Sequence, residues 1–179
     1  AYITEMGIVE NCNFTNNTAY ERGGAIFFTG NSDVTSCIFV NNNVSGWGGA
    51  LYFKDDGNVT KCIFVNNTAF KYGGGIFIIN NGEVTNSNFT NNKAEIGGAV
   101  FTDNGEVTNC NFINNNAKYG GAVYTVGSGK LSNSNFANNS VVFYGGAAYI
   151  TEMGIVENCN FTNNKAGEVG GSLCFEGNA

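Results

Sequence analysis

Residues 11–28 read NCNFTNNTAYERGGAIFF, and the phrase inside them, Phe14-x-x-Asn17 followed six residues later by Gly23-Gly24, returns throughout the chain. Further copies begin at Phe39, Phe64, Phe89, Phe112, Phe136 and Phe161, each with an asparagine three positions on and a glycine pair after it, ending with Gly170-Gly171. The seven phenylalanines are spaced 23 to 25 residues apart. A period of that length marks a solenoid, in which each unit buries its apolar side only by stacking on its neighbours.

Lining up the seven units shows which positions stay apolar while their neighbours drift. After the glycine pair comes an aliphatic column, Ile26, Leu51, Ile76, Val100, Val123, Ala148 and Leu173. A second column follows two residues on, from Phe28 and Phe53 to Phe175, and a spacing of two puts both on one side of a strand. Asp56-Gly57, Asn81-Gly82 and Asn104-Gly105 then predict a tight reversal with positive φ. A short second strand carries one inward column, Val9, Val34, Val59, Val84, Val107, Leu131 and Val156. The next apolar positions lie three and five residues later, an odd offset that demands a bend. Asn11, Asn86, Asn109, Asn133 and Asn158 stand there, as suits a residue that tolerates left-handed geometry. A third strand points Cys or Ser inward (Cys12, Cys37, Cys62, Ser87, Cys110, Ser134, Cys159) together with the repeated Phe.

These strands predict an all-β fold: a right-handed parallel β-helix of about seven three-stranded coils, with rungs about 4.8 Å apart and a rod about 34 Å long. The doubled asparagines, from Asn16-Asn17 to Asn163-Asn164, are expected to line one corner with a ladder of amides. Residues 1–179 read as a single array. Residues 1–17 recur without change at 148–164, six coils later, so the chain reads as an excerpt of a longer array built by duplication.

Asparagine fills 32 positions and glycine 26, while proline and histidine are absent, a composition of short strands and turns rather than helices. The net charge of −6 supplies no basic patch for nucleic acid. No apolar run is long enough for a membrane span.

The pairing of Gly-Gly-Ala-Ile (Gly23 to Ile26) with Phe-x-x-Asn (Phe14 to Asn17), repeated along the whole chain, resembles the chlamydial polymorphic outer-membrane protein repeat. It is equally similar to the adhesin-like proteins of methanogenic archaea. The resemblance implies a right-handed parallel β-helix on an extracellular, cell-surface protein that adheres to host or neighbouring cells. Gly75 and Ser172 depart from it by replacing the motif alanine.

For binding, two aromatic columns are the leading candidates. Phe27, Tyr52, Phe77, Phe101, Tyr124 and Tyr149 alternate with inward positions and are expected to face outward, and Trp47, Tyr72, Tyr119 and Tyr144 precede the glycine pairs. Exposed rings would grip cell-surface glycans or proteins of another cell; the competing reading is that they pack along their own ladder for stability. Asp33, Asp55, Asp56, Glu83, Asp103 and Glu106 fall in successive coils. Either they share an oxygen-ligated calcium or they form a solvated acidic edge, and Lys130 in the same column favours the edge. The cysteine column reads as buried free thiols, since serine takes the same place.

Catalysis is not expected. There is no histidine for proton transfer, and Arg22 is the one arginine available to a polysaccharide lyase or hydrolase. Because the first and last repeats lack a divergent cap, head-to-tail association into fibres is the structural alternative to adhesion.

Overall fold

The computed structural model describes residues 1–177, and they form a parallel β-helix. Eight strands, Tyr2–Ile3 and the seven that follow the glycine pairs from Ile26–Phe28 to Leu173–Glu176, make the first sheet. Seven strands from Ile8–Glu10 to Ile155–Glu157 make the second, and seven from Asn13–Thr15 to Asn160–Thr162 the third. Every pairing is parallel and joins a strand to its copy one coil away, as in Val59↔Val34 and Phe64↔Phe89. No helix among the described residues is long and apolar enough to cross a membrane.

The expected core columns are the core. Phe39, Phe64, Phe89, Phe112 and Phe136 are fully or almost fully buried. Consecutive rings of the Phe14 to Phe161 series lie 4.7 to 5.0 Å apart, with planes within 11° of parallel. Rung spacing imposes that distance, so one residue type repeated in register gives a continuous offset stack. The asparagine bend has the anticipated geometry, with φ between 48° and 54° at Asn11, Asn86, Asn109, Asn133 and Asn158. Ser36 and Lys61 adopt it as well.

The glycine pair serves two separate needs. Gly48 has φ 69°, a left-handed turn into the first sheet. Its neighbour Gly49 needs room instead: a methyl group there would collide with the Gly74 carbonyl oxygen of the next coil.

Two features differ from the sequence reading. The reversal predicted at Asp56-Gly57 and Asn81-Gly82 has no positive φ at those residues; only Asn104 does, at 53°. Gly57 and Gly82 open strands of the second sheet and point inward, where a Cβ would meet the Phe53 ring or the Ile78 side chain. Glycine stands there because the neighbouring core residue fills the space. A fourth, two-residue strand also occupies the corner before the glycine pair, at Thr18–Ala19, Asn43–Val44 and Thr68–Ala69. It carries a small second core of Val44, Ala69 and Ala94, with Ala19 packed against it.

Candidate functional site

Outward positions of the first sheet alternate with its core positions, so in-register pairing sets Tyr2, Phe27, Tyr52, Phe77, Phe101, Tyr124 and Tyr149 one above another. Ring centroids in this row are 4.9 to 5.4 Å apart, all stacked except the edge-on pair Phe27–Tyr52. A second row, Arg22, Trp47, Tyr72, Ile96, Tyr119, Tyr144 and Val169, runs beside it through bridges ahead of the glycine pairs. The second row leans on the first: Trp47 lies 6.5 Å from Tyr52, Tyr72 5.1 Å from Phe101, and Tyr119 6.3 Å from Tyr149.

This packing corrects the expectation of freely exposed rings. Tyr52 and Tyr149 are only 4% and 5% exposed, while Trp47, Tyr72, Tyr119, Tyr124 and Tyr144 are half-buried. Neighbours cover the ring faces, so a partner meets edges and hydroxyls. Burial pushes the phenols of Tyr52 and Tyr124 up from their ordinary value, with the Arg22 charge opposing the rise at Tyr52. The Arg22 guanidinium sits 5.5 to 5.7 Å from the rings of Phe27, Trp47 and Tyr52, and the Lys71 amine 5.1 Å from Trp47. Both cations gain from the negative ring faces. The Tyr149 hydroxyl donates to the Glu176 carboxylate.

The acidic candidates do not form the expected single column. Successive rungs of the second sheet present Asp33, Asn58, Glu83, Glu106 and Lys130. Asp55, Asp56 and Asp103 lie outside that column because they precede the second strand. Asp56, Glu83 and Glu106 line an open groove of about 470 Å³ with Asn81 and Asn104. The Asn58 amide donates to Asp33 at 2.9 Å, and Lys130 pairs with Glu157 at 2.8 Å. Among the described residues no group of three or more acids converges on a point that would hold a metal ion.

All six cysteines are free thiols, and the column explains why serine replaces them. The backbone N–H of Cys37 donates to Sγ of Cys62 at 3.4 Å, and that of Cys62 to Oγ of Ser87 at 3.0 Å. Each sulfur or oxygen then donates to the carbonyl two residues earlier, as Ser87 does to Thr85 at 2.8 Å. The bend leaves an amide without a strand partner, and a small side chain that both accepts and donates satisfies it.

Compared with known families, the model described as "right handed beta helix region" matches residues 24–175. The Chlamydia polymorphic membrane protein repeat matches residues 11–29. No curated protein and no solved structure matches the chain.

Proposed function

The chain belongs to the right-handed β-helix region family, and from that membership we propose that it is the rod of a surface protein that attaches to other cells without catalysing a reaction. The observation that carries this reading is the two-row aromatic face. Tyr, Trp and Arg are the residues that dominate binding hot spots, and here they are packed against neighbouring rings before any partner arrives. The matched polymorphic membrane protein repeat supports a place at the cell surface or outer membrane. The partner is a glycan or protein on the surface of another cell. Arg22, the one arginine, is engaged with rings of the aromatic face rather than with the acidic groove, which supports a role without catalysis.

Beads coated with the chain test this directly. They are expected to be retained on cell monolayers and lost from them when Tyr72 and Tyr119 are both changed to Ser. Equal retention of parent and variant would defeat the aromatic face as the contact. Release of reducing or unsaturated sugars from a polysaccharide panel would defeat the non-catalytic reading.

As a second reading we infer that copies of the chain stack end to end, continuing the coil-to-coil parallel pairing that every strand of the rod already makes. Electron microscopy of concentrated protein would show filaments, and Ile3→Lys would remove them; short monodisperse rods would end this reading.

A further inference from the structure

The repeat is broken in one place. Between the inward asparagine and the glycine pair the other coils carry five residues, as in 68–72, whereas 93–96 and 116–119 contain only four. The ladder stays in register on both sides of the deletion. Thr68, Lys93 and Asn116 bridge on one side, and Tyr72, Ile96 and Tyr119 on the other. Between Asn116–Tyr119 and the following coil the register slips by one residue, after Ala117↔Val141 and before Tyr119↔Tyr144. The position held by Phe70 in the preceding coil and by Val142 in the following one therefore has no residue in the two coils between.

The result is a notch two rungs long, about 10 Å, with a volume of about 470 Å³. Ala94 and Ala117 form its buried floor. Phe70 and Val142 face solvent at its ends, 70% and 54% exposed. Its rim is polar: Lys118 pairs with Glu95 at 2.8 Å, and the Asn116 amide donates to the Ser140 hydroxyl at 2.9 Å. Lys93 also lines the notch and forms none of the ion pairs found among the described residues. Lys93 and Lys118 against Glu95 leave the notch with one surplus positive charge in a chain whose net charge is −6.

We propose that this notch binds one ring of a carboxylated sugar. At about 3.3 Å per residue an extended peptide would place only about three residues in it, whereas one pyranose ring with its substituents fits inside it. A C–H face of the ring packs on Phe70, hydroxyls meet the Lys118–Glu95 pair and Asn116, and the Lys93 amine attracts the carboxylate. A small apolar floor with a few convergent polar groups is the usual make-up of a small-molecule site. None of the residues lining the notch belongs to the two aromatic rows, so this proposal does not rest on the adhesive reading.

Amide NMR of the 179-residue chain, titrated separately with glucuronate, galacturonate, glucose and acetate, tests it. At least one uronate is expected to shift the Ala94 and Ala117 amides and to bind about tenfold more tightly than glucose or acetate at low salt. That preference shrinks as salt rises. Lys93→Gln reduces the uronate to the level of glucose, and Phe70→Ala removes the shifts from every sugar. Both side chains lie at the surface, so the spectrum of the core stays as in the parent. The proposal is overturned if neither uronate moves Ala94 and Ala117, if acetate binds as well as the uronates, or if both variants bind like the parent.

Discussion

The side-chain amide of Asn42 donates to Oδ1 of Asn67 at 2.9 Å, and the backbone N–H of Asn42 donates to the same oxygen at 2.9 Å. Asn67 in turn donates from Nδ2 to Asn92 Oδ1 and to the Phe39 carbonyl, both at 3.0 Å. Each interior amide thus makes four hydrogen bonds while wholly buried. A polar group inside a core is tolerated only on those terms.

Asn67→Ala removes at once the oxygen that accepts both the backbone and the side-chain N–H of Asn42 and the amide that donates to Asn92 and Phe39. At roughly 1–3 kcal/mol for each buried group left unpaired, the loss is expected to exceed about 3 kcal/mol. Asn67→Asp keeps the shape but has no amide hydrogens to donate, and is expected to be at least as damaging near neutral pH. Urea unfolding followed by circular dichroism measures both. A change under about 1 kcal/mol would show that the ladder contributes little.

Phe89 is 0% exposed in the middle of its stack, and replacing it by Ala should cost about 3–5 kcal/mol through the cavity left behind. Phe161, in an outer coil, is only partly buried. Its replacement by Ala should therefore cost visibly less in the same unfolding assay. Equal losses would argue against a core assembled coil upon coil.

Desolvation by burial pushes the Cys110 thiol up to about 12 and the Cys62 thiol up to about 11, against an ordinary 9.0. In the unfolded chain both ionise near their ordinary value, while the fold holds them neutral. The stability they support is whole below pH 9.0 and drains as pH climbs towards about 12. Urea midpoints should fall between about pH 8 and about pH 10.5, and fall less in Cys110→Ser, because Ser87 and Ser134 show that serine satisfies the same amide. An unchanged pH profile in that variant would count against the burial argument. Buried thiols should also resist iodoacetamide in the folded protein, while Cys12, which is exposed, reacts first.

Thr102 and Thr125 sit in the core column filled elsewhere by Phe or Ile, and their hydroxyl oxygens are buried with no hydrogen-bond partner. Thr102→Val and Thr125→Val keep the shape and remove that penalty, so each should stabilise the chain by about 1 kcal/mol. A drop in melting temperature would count against that penalty.

The rod itself was legible because one unit is written seven times, so the Phe14 and Val9 columns could be read against their drifting neighbours. The cysteine column was legible only as small and core-facing; its role in satisfying the bend amide depends on a coil 25 residues away. Gly57 and Gly82 were misread as turn formers. Glycine serves both for positive φ and for room, and only the ring of Phe53 or the side chain of Ile78 tells the two apart. The burial of Tyr52 and Tyr149 was hidden for a related reason. Alternation gives the side of a sheet on which a ring lies, but not that Trp47 or Tyr119 will lean across and cover it. The notch was visible as two short units at 93–96 and 116–119, but its shape required knowing which positions stay in register around the deletion.

The amide ladder has one further consequence. From Asn17 through Asn42, Asn67, Asn92 and Asn115 to Asn139, one Nδ2–H of each amide points to the Oδ1 of the next coil, so the side-chain carbonyls from Asn42 to Asn164 all face the previous coil, while the second Nδ2–H from Asn42 onward turns back to a Phe carbonyl. The carbonyl dipoles therefore add along the axis, as peptide dipoles do in an α-helix. The ladder is a vector, with its carbonyl oxygens turned towards the Asn17 side and the bonded amide hydrogens towards the Asn164 side. Any coil that continues the rod must match that polarity.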